Sequence, residues 1–512
     1  MTNEPEADAR ELFAALHGGD DDAVVRLLRA GVPAEATDPG GHSALYVAAV
    51  SDRPVAVRLL LAAGADPARP SGAPALLAGG GELPLCGAAC GGHTEVARAL
   101  LAAGAPVDQR EAMGFTALAW AVQQGHTTAV ELLLGAGADP GLPGPHGRPA
   151  LVAAAARGSA PVVRALLRGG AGAREAALAE ARALLGTDAE AELRRDLPRS
   201  RGPGDRVVCH RVEEDEGVTV VVELLREGRP VAGAERGTSH AAVATLLEAE
   251  LGRRTAYAEL ADRALGAGRP EHADWAQSVA VLRARGDEET FQAAAAWCAS
   301  GDEARQAFAA DVLAGLGLGP GAWRPFAPRA VPLLCELARD ARGSALVLAA
   351  VRALGHQGQG RALPGVLRHA GHPDPVVREA VAEALARLTG PADGAGTAAL
   401  AVLARDARER VRRAATAGLA GLRPGPAPDA ERQDAIRQAL AERLDDPDAA
   451  TAAEAARGLA VRQDPRAVEV LARLLREREP GDPVRGTALA ALPHVRDAAA
   501  RRRLEWTLPR RR

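Results

Sequence analysis

Apolar positions along the first third of the chain recur in a fixed order. A short stretch rich in Ala and Leu is followed by a polar turn, then by a second stretch ending Leu-Leu-x-x-Gly. The clearest copy is "GFTALAWAVQQGHTTAVELLLGAGADP", from Gly114 to Pro140. Its closing glycine has counterparts in Gly31, Gly64, Gly104 and Gly170, so that the five lie 33, 40, 33 and 33 residues apart. The long interval contains an insert around Pro70–Glu82. Upstream of the glycines run "SALYVAAV", "LPLCGAAC", "TALAWAVQQ" and "PALVAAAA". The pattern predicts two short helices per unit, the second stopped by a glycine that takes a left-handed conformation without a Cβ clash. One such pair cannot bury its own apolar face, and stacking on neighbours does so.

A second periodicity occupies the far end. "SALVLAAVRALG", "DPVVREAVAEALARL", "DARERVRRAATAGLAGL", "PDAATAAEAARGLAV" and "GDPVRGTALAALPHV" align on Leu354, Leu385, Leu419, Leu459 and Leu492, spaced 31, 34, 40 and 33. "GDEARQAFAADVLAGLG" reads as the first unit, and each unit pairs with an upstream helix such as "RAVEVLARLLRE". Residues 173–285 follow neither pattern. "REAALAEARALLG" reads as helix, "DRVVCHRV", "VTVVVELLREG" and "RPVAGAE" as a three-stranded meander, and "SHAAVATLLEAELG" and "YAELADRALGAG" as helix again.

These motifs resemble known repeats. The 33-residue unit resembles the ankyrin repeat over about residues 8–172, with degenerate first and last units. It departs from that family's Thr-Pro-Leu-His start, since Tyr46, Cys86, Ala119 and Val152 stand where the His is usual. The C-terminal unit, an Asp-Pro start followed by an Arg, resembles short HEAT-like repeats over about residues 286–500. Arg305, Arg378, Arg412 and Arg485 hold the Arg position, and Val347 and Ala452 break it. In that family the Arg pairs with an Asp of the neighbouring repeat. The combination is similar to ankyrin/HEAT repeat proteins of actinobacteria.

The expected fold is therefore mainly α, with two α-solenoids joined by a small α+β segment. The divisions are an ankyrin array of about five units over 1–172, a connecting domain over 173–285, a HEAT-like array of about six units over 286–500, and an Arg-rich tail over 501–512.

Composition narrows the chemistry. All 62 basic residues are arginine, Asn3 is the only asparagine and Ile436 the only isoleucine, a bias typical of a very GC-rich genome. Without lysine there is no phosphate-loop lysine, Schiff base or Ser-Lys pair. Five scattered cysteines do not form a disulfide framework. The acidic start "MTNEPEADARELFAALHGGDDD" lacks the basic opening and apolar run of a signal peptide, so a cytoplasmic location is expected.

Isolated chemical motifs have plainer explanations. Cys86, Cys90 and His93 have a metal-like spacing, but a fourth ligand is missing, and the Gly91-Gly92 pair places them around a turn. "GTSHA" is a loose echo of a nucleophile elbow, with Ser239 and His240, but an elbow needs a wider sheet than three short strands, and Thr238 or Ser239 reads instead as a helix cap. Cys209 and His210 alternate on a strand, which sends Cys209 to the core. "EEDEG" reads as a solvated strand connection.

Charge is spread. Residues 1–172 hold 12 arginines against 17 acids, 173–285 hold 17 against 20, and 286–512 hold 33 against 29. The ending "RRRLEWTLPRRR", with six arginines and one acid, supplies more than the whole of the last excess and leaves the rest of that segment about neutral, so net charge points to no basic stripe of the kind nucleic acid requires. The expectation is a non-catalytic adaptor with a protein partner and no cofactor, metal, membrane or nucleic acid. The alternative is a HEAT-like enzyme accessory, bilin-lyase-like or nucleic-acid-processing, by analogy of fold. The ankyrin resemblance implies that a partner meets loop tips and first helices. Those positions are His42, Glu111, Met113, Phe115, His146 and Arg148 on the tips and Tyr46, Trp120 and Gln123 on the helices, with Phe115 and Trp120 reading equally as core, and the insert around Pro70–Glu82 is either a further contact or a flexible finger.

Overall fold

The computed structural model describes residues 4–73, 81–112, 114–196, 205–214, 217–319, 324–390, 393–423 and 430–506. It divides into two compact units, Met1–Ser278 and Val279–Arg512. Both are built mainly of helix pairs, and a small α+β segment follows the first array in the chain.

In the first unit the pairs are Glu4–Gly18 with Asp21–Arg29, Ala44–Val50 with Pro54–Ala62, Pro84–Cys90 with Thr94–Ala102, Ala117–Gln124 with Thr127–Gly135, and Ala150–Arg157 with Ala160–Arg168. First helices pack on first helices and second on second. The periodic leucines Leu60, Leu100, Leu133 and Leu166 are fully buried between layers. The five stop glycines have φ of 99°, 96°, 92°, 92° and 84°. A Cβ at any of them would meet open space, so their reason is conformation alone.

The units are tied by one repeated bond. The last carbonyls of a helix have no partner within it, and here a side chain just ahead of the next unit's second helix reaches back to one of them. Arg53 Nη2 donates to His17 O at 3.2 Å, and Arg157 Nη1 to Gln123 O at 2.8 Å. His93 Nε2 lies 3.3 Å from Val50 O, and His126 Nε2 lies 3.0 Å from Cys90 O. A carbonyl only accepts, so each imidazole carries its proton on Nε2. The Gly-His pair at Gly125–His126 is thus structural.

Beyond the array, helices Arg174–Ala183 and Ala189–Asp196 precede a three-stranded antiparallel sheet in the order β1-β2-β3: Asp205–Glu214, Gly217–Arg226 and Arg229–Gly237. The meander expected from the β-branched runs is present. The β2–β3 turn is the pair Glu227-Gly228, both at positive φ, which matches the right-handed strand twist. Val220, Val222 and Leu224 alternate on the buried face of β2, and Leu193 packs against the valines. Cys209 was expected in the core. It is only half-buried, because β1 is an edge strand with one neighbour. Helix His240–Glu250 then packs on the array, and His240 Nε2 lies 3.1 Å from Ala156 O, continuing the same tie.

In the second unit, pairs such as Glu409–Gly421 after Gly394–Leu403 stack second helix on second helix. Aspartates cap many of these helices: Asp302, Asp374, Asp393, Asp448 and Asp482 each accept from a first-turn amide. The arginine position behaves in two ways. Arg378 holds Asp406 of the next repeat at 2.7 and 3.0 Å, and Arg412 holds Asp446 at 2.8 and 2.9 Å, each with two carbonyls of its own loop. Arg485 instead donates to the carbonyls of Leu475 and Arg478, and Arg305 lies 3.7 Å from Asp302 of its own helix start. Beside Ala452, which lacks the arginine, Asp448 is held at 2.8 and 2.9 Å by Arg413 of helix Glu409–Gly421, the second helix of the preceding repeat.

Arg412→Ala is expected to cost about 2 kcal/mol in chemical denaturation, because it leaves the buried Asp446 carboxylate without its fork. Arg305→Ala, at an exposed local pair, should cost under about 0.5 kcal/mol. Equal losses at the two positions would refute the distinction.

Candidate functional site

The first helices and preceding loops of three successive units enclose a cavity of about 430 Å³ in the first unit. Tyr46 and Val50 come from helix Ala44–Val50, Cys86, Gly87 and Cys90 from Pro84–Cys90, and Trp120 from Ala117–Gln124. Glu82 and Glu111 enter from the loops ahead of the second and third of these helices. Gly87 makes room for one wall: a Cβ there would stand 2.6 Å from Val50 and 3.2 Å from the Tyr46 ring.

The walls are held from behind. Phe115 is buried and stacks on Trp120 with centroids 4.0 Å apart. Trp120 Nε1 donates to Glu111 Oε1 at 2.5 Å, and the Cys86 thiol also bonds Glu111. Burial, and next the neighbouring Glu82, push the Glu111 carboxyl up. Tyr46 is likewise pushed up, by burial and then by Glu82. His42 stacks on Tyr46 and sits 3.1 Å from Asp38 and 3.4 Å from Glu82 Oε2.

Of the positions singled out in the sequence, Tyr46, Glu111 and Trp120 therefore line one cavity, with His42 and Phe115 supporting it. Gln123 is exposed beyond it, and its carbonyl holds Arg157. His146 and Arg148 are exposed on a later loop, where Arg148 pairs with Glu180 at 2.7 Å. Met113 lies outside the described residues, as does most of the insert within Pro70–Glu82. Glu82 closes that insert, and nothing in the sequence marks it out from other loop acids.

Elsewhere the chemical motifs are already spent on structure. Burial raises the thiols of both Cys86 and Cys90, and His93 ties Val50 and faces Asp52 at 3.6 Å. Among the described residues, no group of three His, Cys, Asp or Glu side chains is placed to hold a metal ion. Ser239 and His240 are buried, and burial lowers the His240 pKa. Ser239 stands at the cap position of helix His240–Glu250 but its side chain makes no capping bond. Nor does Thr238, which donates to Val218 O at 2.9 Å. Asp274 does the capping, accepting from Ala242 N at 2.6 Å. Thr238 also lies 3.2 Å from His272 Nε2, an arrangement that hints at a hydrolase relay. His272 Nδ1 accepts from the Asp274 amide at 3.2 Å, so it offers no proton to a carboxylate, and the relay is broken at that link.

In the second unit a cavity of about 750 Å³ is lined by Glu379, Glu383 and Glu454 together with Arg387, Arg410 and Arg413, a mixed rather than a basic surface. In the C-terminal segment, Arg503 pairs with Glu469, and residues 507–512 lie outside the described residues. Among the described residues no helix is long and apolar enough to cross a membrane.

Comparison with known families agrees with the repeats. Residues 73–144 match a family described as ankyrin repeats (3 copies), and residues 345–420 match one described as HEAT repeats. No curated protein matches the chain. Repeats of both kinds generally serve as protein-interaction scaffolds. The chain thus carries an ankyrin repeat array in its N-terminal part and a HEAT-like array in its C-terminal part.

Proposed function

We propose that the chain is a non-catalytic adaptor that binds a protein partner through the array at residues 1–172. The observation behind this is the cavity walled by Tyr46 and Trp120 on the exposed side of the first helices. Aromatic side chains are scarce in this chain, at 2%, and they are the residues that most often anchor an interface when they line a pocket. The burial of Ser239 and His240 and the structural bonds of His240 and Thr238 support the absence of catalysis, and the mixed charge of the second unit's cavity supports a protein rather than a nucleic acid.

A quantitative affinity capture from extract of the source cell, using the full chain, tests this. The expected result is one protein retained in near-stoichiometric amount by the native chain and at least tenfold less by Tyr46→Ala/Trp120→Ala. Equal retention by both chains, or turnover of a substrate that disappears in Ser239→Ala, would overturn it.

A further inference from the structure

We infer that the cavity between Tyr46 and Trp120 is a receptor for one arginine side chain of a partner peptide, its guanidinium lying between the aromatic walls and facing Glu82 and Glu111. This deepens the adaptor reading and rests on it.

The lining is aromatic and acidic at once. Among the described residues two carboxylates enter it and no arginine does, although the chain has 62 arginines and elsewhere supplies them freely: Glu131, Glu180 and Glu235 each pair with one and Glu248 with two. Among the described residues the donors to Glu111 are neutral: the Trp120 indole, the Cys86 thiol and the Leu83 amide. Its charge is uncompensated within the cavity, and Glu82 beside it adds repulsion. Oxygen Oε2 of Glu82 is buried with no hydrogen-bond partner, His42 Nε2 standing 3.4 Å away. Glu82 has the Tyr46 hydroxyl and the His42 ring as neighbours and no guanidinium among the described residues, and a carboxylate so placed in a partly buried acidic cavity carries an electrostatic cost that an entering cation removes.

The walls decide which cation. Trp120 is fixed by its stack on Phe115 and by its bond to Glu111, and Tyr46 by its stack on His42 and its bond to Glu82. A rigid indole face attracts cations, most effectively when they are planar and weakly hydrated. Guanidinium meets that description, and it presents donors in a fork that matches carboxylates. An ammonium is more strongly hydrated and has no flat face. The rim residues Val50 and Gly91 are exposed, so a side chain can enter from solvent.

The test uses immobilised full-length protein and three nonapeptide libraries with a fixed centre of arginine, lysine or citrulline, and flanks free of Arg and Lys. Citrulline keeps the shape and loses the charge. The expected result is at least tenfold greater retention of the arginine library than of the citrulline library, with lysine between them. That preference should vanish in Glu82→Gln/Glu111→Gln, and fall severalfold in Glu82→Gln alone, which leaves the bonded Glu111 in place. Equal retention of arginine and citrulline peptides, or a preference that survives in the single and double variants with unchanged thermal melts, overturns the inference. If the native partner still depends on Tyr46 and Trp120 while no library discriminates, this inference falls and the adaptor reading stands. If neither partner nor peptide is retained, both fall.

Discussion

Replacing Glu248 with alanine is expected to destabilise the first unit by about 3–5 kcal/mol, the cost of leaving buried charges without their counter-ion. Glu248 is 1% exposed and gathers three side chains. Arg182 reaches Oε1 at 2.7 and 3.0 Å, Arg263 spans both oxygens at 2.8 and 3.0 Å, and Thr255 bonds Oε2 at 2.6 Å. Arg263 is itself buried and would lose its buried counter-ion, keeping only the exposed Glu259 at 2.7 Å and the Thr245 hydroxyl at 2.9 Å, whereas Arg182 is open enough to regain water. Burial alone would raise this carboxyl, but the bonds from Arg263, Thr255 and Arg182 outweigh it and hold it at about 2. A depressed folded pKa means the contribution is whole above the ordinary value of 4.5 and is lost as pH falls toward 2. Urea denaturation at pH 7 and at pH 3 measures both parts. A loss below about 1 kcal/mol at pH 7 would show that the cluster merely coexists with the fold.

Asp274→Asn should do the opposite and stabilise the protein above neutral pH. Burial lifts this carboxyl from 3.8 to about 7, although it accepts the Ala242 amide. Because the folded pKa is raised, stability is greatest with the group protonated and declines as pH rises from about 4 to about 7. Asparagine keeps the accepting oxygen and removes the charge. The variant should gain on the order of 2–4 kcal/mol at pH 8, and nothing below pH 4, from a shift of that size. Asp274→Ala, which loses the cap as well, should fall short of Asn by about 1 kcal/mol. A native chain with flat stability between pH 5 and 8 would refute the burial argument.

The repeats were legible because each period states the same local physics: a glycine where a left-handed residue is needed, a leucine where layers meet. The meander was legible for the same kind of reason, in its β-branched runs and the Glu227-Gly228 turn. What sequence could not reveal depends on contacts between distant segments. Asp274 caps a helix that begins more than thirty residues earlier, so Thr238 and Ser239 looked like the obvious candidates. Phe115 read as a tip aromatic or as core, and only the fold shows it buried in a stack behind Trp120. Arg305 and Arg485 share the motif of Arg378 and Arg412 without reaching a neighbouring repeat's aspartate, because the motif records a position on a helix and not what lies across from it. Three candidates, Tyr46, Glu111 and Trp120, converge on one cavity, but the partner acid Glu82 had no local signature.

The backward-reaching bond has a consequence for how such a chain can grow. Each donor and its carbonyl belong to adjacent units, so a duplicated unit brings its own donor and finds an acceptor waiting on its predecessor. Lengthening within the series requires no new invention. At its downstream end the series is closed. His240 already occupies the carbonyl end of helix Ala150–Arg157, and it comes from a segment that is not a repeat. New units can be spliced in ahead of Ala150, but one appended after Arg168 would have to displace His240 and the helix that follows it.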